Sequence, residues 1–563
     1  MQAQRYHYRR QIVHDLSTAT RPFDFSEHLF SIDMSYNRRE FLQQLGFGAL
    51  QLGIISAIPA SAWAATLHSG QLPRSSPEAQ GLLAKNILDF TNAVEADKLN
   101  LHSLMILRQG KVVAEGWWAP YGPDMKHTLY SLSKSFTSTA IGLAVAEKKL
   151  TVEDKVVSFF PDDKPATISA NLAAMRVKDL LTMSTGHDKD ATGPVRESKE
   201  KNWVKAFLSL PVEHEPGTFF VYNSAATYML SAIIQKLTGQ TLLQYLTPRL
   251  FEPLGIDDPD WEVDPNGINT GGWGLRVKTE DIAKFGQLYL QKGEWNGKRI
   301  LPAAWIEEAT RSHIMSKGGS RKPEENDWLQ GYGYQFWRCR NDAYRGDGAF
   351  GQYCIVMPKE DMVIAITSET GDMQAILDHV WNNILAAVKA TGVPADKEIQ
   401  AQLQKKLTTL ALPLTAGKAT AELATKLNNK SFKVADNSLK INKVSFEFAK
   451  GWCLFRLYDD KGEHLIVNGL GNWKVGLTDL SVMPLKLVLT PVPGEKLTKV
   501  AGNGAWIDEN TFEMTWRFIE TAHYETVTCK FEGDNVQVEF KRSLAILSKT
   551  KDARPVLSGE MLS

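Results

Sequence analysis

Residues 129–142 read LYSLSKSFTSTAIG, a Ser-x-x-Lys pattern that runs directly into a small, apolar, helix-compatible segment. Residues three apart lie on one face of a helix, so Ser131 and Lys134 can present a hydroxyl and an amine to the same pocket. The first turn of a helix also offers unpaired backbone N–H groups to a developing oxyanion. Lysine can act there as a base only where burial lowers its pKa well below about 10.4. The stretch therefore predicts a serine nucleophile with a lysine partner.

The same pattern occurs twice more in the chain, at Ser198…Lys201 and at Ser548…Lys551. The former lies in a highly charged stretch and the latter in a basic tail, and neither leads into a long apolar helix. An isolated Ser-x-x-Lys is most often a helix start with a solvated lysine. The interpretation of Ser131 and Lys134 therefore depends on the rest of the chain.

Length and composition are those of a globular protein with two or three domains. The chain has 563 residues, of which 43% are hydrophobic, enough for a sizeable core. Lys+Arg and Asp+Glu both number 64, so no charge bias favours nucleic acid or an anionic membrane as a partner. The four cysteines show no C-x-x-C spacing, which argues against a zinc site or a thioredoxin-like motif. We expect no metal and no cofactor.

Residues 1–64 have the pattern of an extension followed by an export signal. Arg38-Arg39 is followed by Phe41-Leu42, an apolar run and the small-x-small segment Ala62-Trp63-Ala64, as in a twin-arginine signal peptide. Arg9-Arg10 has no apolar run behind it, and Met34 is the expected natural start. The alternative is an amphipathic or membrane-anchoring helix. No other stretch reaches the ~18–20 apolar residues of a membrane span, so the prediction is a periplasmic or secreted protein without a stable anchor after cleavage.

Export would permit disulfides, because the compartment is oxidising. Cys339 and Cys354 lie in neighbouring strand-like segments, and Cys453 and Cys529 share the C-terminal region. Pairing within each couple is one possibility among three connectivities. Buried free thiols are an equal alternative.

Hydrophobic periodicity indicates an antiparallel sheet built from both ends of one unit. Strand-like segments occupy 103–115, around a Gln-Gly turn, and later 332–340, 350–357 and 362–367, with a helix at 373–390. A helical region separates the early strands from the late ones. We therefore predict an α/β (α+β) unit over 65–392, with a five-stranded antiparallel sheet flanked by helices and a helical insertion.

The rest of the chain divides into a linker and a second domain. Residues 393–430, with their prolines and Lys/Gln/Ala-rich stretches, predict a helix-bearing linker. Strict alternation from 431 to 563 predicts an all-β domain. It contains no catalytic constellation, so a packing or lid-like role is expected for it.

Three segments in this order resemble the motifs of the serine β-lactamase and penicillin-binding-protein superfamily. Residues 130–138 resemble its first motif, and 219–224, after Pro216-Gly217, resemble its second, Tyr-x-Asn or Tyr-x-Ser. Residues 346–352 lie where the superfamily carries Lys-Thr-Gly. Over roughly residues 75–390 the chain looks like the class C-like esterases and aminohexanoate-dimer hydrolases. The resemblance implies a β-lactamase-like fold and a serine hydrolase of an ester or small amide.

The resemblance also implies a role for each matching residue. Ser131 would be the acylated nucleophile, and Lys134 would take or orient its proton. Tyr222 would be the general acid/base, with its pKa lowered from about 10 by a nearby Lys134 cation. The backbone N–H groups of Ser131 and Ala349 would form the oxyanion hole.

The third motif departs from the lactam-cleaving members of the superfamily. Gly346 replaces the lysine that would bind a substrate carboxylate, although Arg345 could partly substitute. This departure favours an ester or amide over a lactam. A D-alanyl peptide or β-lactam hydrolase and a catalytically silent binding protein of the same fold remain as alternatives. The predicted substrate-binding residues are Ser224, Gly346, Asp347, Gly348, Trp273 and His187. A core role is an equal alternative for Trp273, and the pattern around His187 favours a polar loop.

Overall fold

A six-stranded antiparallel sheet organises the first part of the computed structural model, which describes residues 71–318, 321–390, 392–480, 487 and 490–562. In spatial order its strands are Lys111–Trp117, Leu101–Arg108, Met362–Ser368, Gln352–Met357, Tyr344–Gly348 and Trp337–Arg338. Strand Leu101–Arg108 pairs with both Lys111–Trp117 and Met362–Ser368. Early and late segments of the chain therefore lie side by side. The predicted export signal lies outside the described residues.

The prediction of a five-stranded sheet is wrong, because Tyr344–Gly348 forms a strand of its own. Its sequence, Tyr-Arg-Gly-Asp-Gly, is poor in residues that favour strands. Gly346 is required by packing: a Cβ atom there would lie 2.4 Å from Leu132 Cδ1 and 2.5 Å from Ser135 Oγ. The strand is held by its close approach to the Ser131 segment rather than by intrinsic propensity.

Alternate residues of the inner strands face two separate cores. In strand Leu101–Arg108, Leu104 packs into a core with helix Ala84–Ala96, whereas Met105 packs into a core with helix Thr279–Leu290. Every residue of this strand is buried. A sheet covered on both faces buries successive residues of its inner strands, and residues 104–107 of this strand form the continuous apolar run that this requires.

Two helices between the early and late strands position the candidate site. Ser133–Ala146 is almost entirely buried, and its surface is mostly apolar or hydrogen-bonded. Ser224–Thr238 begins at Asn223, whose Oδ1 accepts a hydrogen bond of 3.1 Å from the N–H of Ala225. The α-helices of the described residues are Ala84–Ala96, Ser133–Ala146, Ala170–Ala174, Val177–Leu181, Thr192–Glu197, Trp203–Leu208, Ser224–Thr238, Leu242–Leu246, Glu252–Leu254, Thr279–Leu290, Ala303–Thr310, Met373–His379, Lys397–Thr408, Glu422–Leu427 and Ser543–Leu547. Within these ranges, no helix has the length and apolar character needed to cross a membrane.

The C-terminal part is a closed barrel, which confirms the predicted all-β character. Nine strands form the ring: Lys430–Val434, Lys443–Ala449, Trp452–Asp459, Gly462–Leu470, Thr498–Trp506, Thr511–Phe518, His523–Glu532, Asn535–Arg542 and Leu557–Met561. The ring closes where Gly462–Leu470 pairs in parallel with Thr498–Trp506, and Lys474–Thr478 pairs with the latter as a tenth strand. Inward-facing residues alternate with exposed ones along Asn535–Arg542. Aromatic side chains fill the interior, among them Phe446, Trp516 and Phe531.

The barrel is joined to the central sheet by buried charges, and all described residues belong to one compact unit. Arg517 of the barrel pairs with Glu369 at 2.5 Å, and Glu369 also lies 3.2 Å from His102 Nε2. Arg276 pairs with Glu495 at 2.6 Å. Because charges buried without partners are costly, these pairs specify how the barrel docks. The predicted domain boundaries stay predictions.

The four cysteines are buried free thiols, so the second of the two alternatives holds in this structure. Cys339 Sγ accepts a hydrogen bond of 3.1 Å from Arg345 Nη1. Burial raises the pKa of Cys339 to about 11 and that of Cys354 to about 12. Thiols in such surroundings are poorly reactive.

Candidate active site

Lys134 lies at the centre of the site predicted from the sequence. Ser131 occupies a short 3₁₀ turn that leads directly into helix Ser133–Ala146. Lys134 Nζ lies 3.0 Å from Ser131 Oγ, 2.9 Å from Ser224 Oγ and 2.8 Å from the carbonyl oxygen of Gly272. The fold therefore brings together the residues of the first and second motifs.

The protonation state of Lys134 is controlled by its burial. Its side chain is 1% exposed, and burial lowers its pKa to about 7, although the carboxylates of Asp190 and Asp347 act in the opposite direction. A neutral amine has two N–H donors and one lone pair. Because the Gly272 carbonyl can only accept, the lone pair must face one of the two serine hydroxyls. With the proton of Ser131 directed to Lys134, the arrangement suits general-base activation of the serine.

Tyr222 lies beside this pair, with Lys134 Nζ 4.8 Å from the centroid of its ring. The ring stacks on Trp337 at 5.3 Å with an interplanar angle of 20°. Burial raises the pKa of Tyr222 above its ordinary value, the negative charge of Asp347 adds to this effect, and a hydrogen bond with Ser131 opposes it. The predicted lowering is therefore wrong in direction, because burial and the negative charge of Asp347 both disfavour a phenolate. The Tyr222 phenol therefore keeps its proton in this environment.

The Arg345 side chain is paired with other groups inside the protein. Its Nε and Nη2 lie 3.0 and 2.9 Å from Asp347 Oδ2, and its Nη1 donates to the carbonyl oxygen of Asp327 at 2.9 Å. The side chain is fully buried, with its guanidinium 4.4 Å from the ring centroid of Trp328. The suggestion that Arg345 replaces the missing lysine as a carboxylate receptor is therefore wrong, since its charge is already compensated by Asp347.

The remaining residues of the third motif lie along the nucleophile turn. Gly346 faces Ser135, and Gly348 is the last residue of its strand. Ala349 follows, and its carbonyl oxygen accepts a hydrogen bond of 2.8 Å from Gln352 Nε2. The role of the Ala349 N–H as an oxyanion donor stays a prediction.

Trp273 and His187 have the contacts of buried residues. Trp273 follows Gly272 directly and is 6% exposed, and its Nε1 donates to Thr490 Oγ1 at 2.9 Å. His187 Nδ1 lies 2.8 Å from Thr185 Oγ1, and its ring packs on a phenylalanine. These contacts favour core roles, and substrate binding by either side chain stays a prediction.

Sequence reasoning missed three contributors to the site. The carbonyl of Gly272 had a detectable signal, the run Gly271-Gly272-Trp273-Gly274, since glycines cluster where backbones approach closely. A Cβ atom on Gly272 would lie 2.8 Å from the carbonyl oxygen of Ser224. The other two contributors leave no recognisable pattern in the sequence. They are the electrostatic effect of Asp190 on Lys134 and the hydrogen bond from the N–H of Ala522 to the Tyr130 hydroxyl. The described ranges contain no group of three or more His, Cys, Asp or Glu side chains that could hold a metal ion.

Part of the chain is similar to known proteins. A family model described as Beta-lactamase matches residues 93–388. The chain is 26% identical over 292 residues to 6-aminohexanoate-dimer hydrolase of Paenarthrobacter ureafaciens, covering 48% of this chain and 73% of that protein. It is 27% identical over 164 residues to Protein flp of Staphylococcus aureus (strain MW2), covering 27% of this chain and 33% of that protein. A family VIII carboxylesterase structure is similar with a TM-score of 0.43 and 16% identity, over 55% of this chain and 99% of that one.

Proposed function

This chain is a hydrolase that belongs to the β-lactamase family, and we propose that it cleaves an ester or a small amide through an acyl-enzyme on Ser131. The observation that carries the proposal is the buried Lys134 amine, 3.0 Å from Ser131 Oγ and with its pKa lowered to about 7. A lysine with an ordinary pKa would be protonated at neutral pH and unable to accept a proton.

In the proposed reaction, Ser131 Oγ attacks the carbonyl carbon while Lys134 accepts the hydroxyl proton. The N–H groups of Ser131 and Ala349 would bind the resulting oxyanion, where one donor is typically worth ~3–4 kcal/mol. Tyr222 would give its proton to the leaving alcohol or amine and regain one from the Lys134 ammonium. A water molecule would then attack the acyl carbon, losing its proton to the same pair, and Ser131 would be released with its hydroxyl restored.

The electrostatics of the third motif support a substrate without an essential carboxylate. Gly346 provides no cationic side chain, and the charge of Arg345 is compensated by Asp347 within the protein. A penicillin or a D-alanyl peptide would therefore lose the ion pair that anchors its carboxylate in lactam-cleaving members of the family. An ester or small neutral amide needs no such anchor.

The decisive experiment is intact-protein mass spectrometry after incubation with a fluorophosphonate probe. We expect one adduct on the wild type and none on Ser131→Ala. Ser198→Ala, in the second Ser-x-x-Lys sequence, is the matched control and should be labelled like the wild type. Rates on p-nitrophenyl butyrate and nitrocefin then separate the substrate classes, and faster lactam cleavage would contradict the ester or amide assignment. No adduct on a folded wild type would overturn the proposal in favour of a silent binding protein.

A further inference from the structure

Two residues with unfavourable backbone conformations flank the proposed oxyanion donors. Tyr130 directly precedes Ser131 and has φ = 46°, and Phe350 directly follows Ala349 and has φ = 67°. Positive φ is costly for bulky residues, because Cβ crowds the backbone. Such conformations persist only where the surroundings enforce them, and they concentrate at functional sites. The orientations of both donor N–H groups therefore depend on whatever holds these two residues.

The barrel supplies contacts to both of them. His523 meets the ring of Tyr130 at a centroid distance of 5.9 Å and that of Phe350 at 5.4 Å, in edge-to-face geometry. The two rings also meet each other, at 5.4 Å and 76°. In addition, the Tyr130 hydroxyl accepts a hydrogen bond of 3.2 Å from the backbone N–H of Ala522. One short barrel segment thus contacts both strained positions.

His523 is itself fixed within the barrel. Its Nε2 accepts a hydrogen bond of 3.1 Å from the N–H of Leu487, and its Nδ1 lies 3.3 Å from Ser543 Oγ. Close by, the carbonyl oxygen of Glu520 accepts a hydrogen bond of 2.9 Å from the N–H of Thr128, two residues before Tyr130. Contacts at both ring nitrogens therefore hold the imidazole in one orientation.

We propose that the barrel is part of the active site, with His523 as a positioning residue that holds Tyr130 and Phe350 and so aims the N–H groups of Ser131 and Ala349 at the oxyanion. The proposal rests on the acyl-enzyme chemistry proposed above. Attachment of the barrel is already provided by the ion pairs of Arg517 and Arg276. The contacts of the barrel with Tyr130, the residue before the nucleophile, are therefore not needed for attachment. They fix the geometry of the site instead.

The test uses the full-length protein and variants that separate the ring from its hydrogen bonds. His523→Gln keeps polar atoms but removes the ring, so we expect kcat to fall about tenfold or more with KM within about twofold. Fluorophosphonate labelling of Ser131 should slow by the same factor. His523→Phe restores the edge contacts and should recover most of the lost kcat. His464→Phe, at a buried barrel histidine paired with Asp459 and Asp479, is the control and should leave kcat unchanged.

A double-mutant cycle tests the coupling directly. Glycine tolerates φ = 46° without a Cβ penalty, so Tyr130→Gly removes both the strain and the contact with His523. In that background His523→Gln still removes the contact with Phe350, but it should lower kcat by a smaller factor than in the wild type, whereas fully additive effects would contradict the proposal. If His523→Gln does not fold, Tyr130→Leu serves instead: loss of the ring that meets His523 and of the acceptor for Ala522 should lower kcat with KM unchanged, and wild-type kcat would overturn the proposal.

The outcomes distinguish the two levels of inference. A folded wild type that takes no fluorophosphonate refutes the acyl-enzyme function itself. If the wild type is labelled, and a folded His523→Gln protein has unchanged kcat and labelling rate, only the role of His523 is refuted. If kcat falls in proportion to the melting temperature in His523→Phe, His523→Gln and His464→Phe alike, the contact of His523 is merely structural.

Discussion

Lys134 Nζ lies 3.0 Å from Ser131 Oγ and has the carbonyl oxygen of Gly272 at 2.8 Å on another side. The carbonyl takes one N–H of the amine, so a neutral Lys134 can direct its lone pair to a serine hydroxyl. Burial favours this neutral form, because it lowers the pKa of Lys134 to about 7.

Replacing Lys134 by methionine removes the base while keeping a long apolar stem. We expect kcat on an ester to fall by ~10²–10⁴, the usual contribution of a positioned base. Lys201→Met, in the charged Ser-x-x-Lys stretch, is the control and should retain wild-type activity. Steady-state kinetics on proteins with matching circular dichroism measure the effect, and a fall below threefold for Lys134→Met would exclude it as the base.

The pH dependence should report the titration of Lys134. Since only the neutral amine accepts a proton, kcat/KM should rise through about pH 7 as Lys134 loses its charge. The carboxylate of Asp190 favours the ammonium form, so Asp190→Asn should lower the pKa of Lys134 and move this limb to lower pH. Asp188→Asn, two residues away and paired with His214, is the control. A limb that does not move, or moves to higher pH, contradicts the assignment.

Tyr222→Phe removes a hydroxyl but keeps the ring that stacks on Trp337. Because burial and Asp347 raise the pKa of Tyr222, its proposed role is to donate a proton, and we expect kcat to fall by ~10²–10⁴ with little change in KM. The loss should be smaller for an ester with a p-nitrophenolate leaving group, which needs no proton, than for one with an alkoxide leaving group. Tyr332→Phe, an aromatic neighbour at 6.3 Å, provides the comparison. Equal losses on both esters would argue against a general acid.

Asp347→Ala should destabilise the protein strongly, because it leaves the buried Arg345 guanidinium without its carboxylate. Breaking a buried pair in this way typically costs about 3–5 kcal/mol in the free energy of unfolding. Asp342→Ala breaks an exposed pair with Lys359 and should have no measurable effect. Urea denaturation followed by tryptophan fluorescence compares the two, and similar midpoints would refute the structural role of Asp347.

Export is testable from the sequence of the first 64 residues. We propose that Arg38-Arg39 directs the folded protein out of the cytoplasm, so Lys replacement of both residues should retain it there with its N-terminal segment uncleaved. Lys replacement of Arg9-Arg10 is the matched control and should leave export intact. Fractionation with N-terminal sequencing of the mature protein gives the readout, and export of the Arg38/Arg39 variant would reject a twin-arginine signal.

Much of the fold was predictable because it depends on local patterns. Alternation predicts the barrel strands, as in Asn535–Arg542, where buried and exposed residues alternate along the strand. Strand Tyr344–Gly348 escaped prediction because its glycines allow close approach of other segments, at Gly346 of Leu132 and Ser135, rather than favouring a strand. Closure of the barrel also escaped, since it depends on a parallel pairing between Gly462–Leu470 and Thr498–Trp506.

The sequence by itself determined which groups meet at the site: Ser131 and Lys134 are three residues apart at the start of one buried helix, and Tyr222 precedes the capped helix that carries Ser224. Only the tertiary structure decided how these groups behave. Burial lowers the pKa of Lys134, Asp347 both opposes ionisation of Tyr222 and pairs with Arg345, and Ala522 of the barrel contacts Tyr130 across 392 residues of chain. Helical spacing is a local property that the chain carries in its order, whereas desolvation and charge interactions depend on distances that exist only once distant segments have packed together.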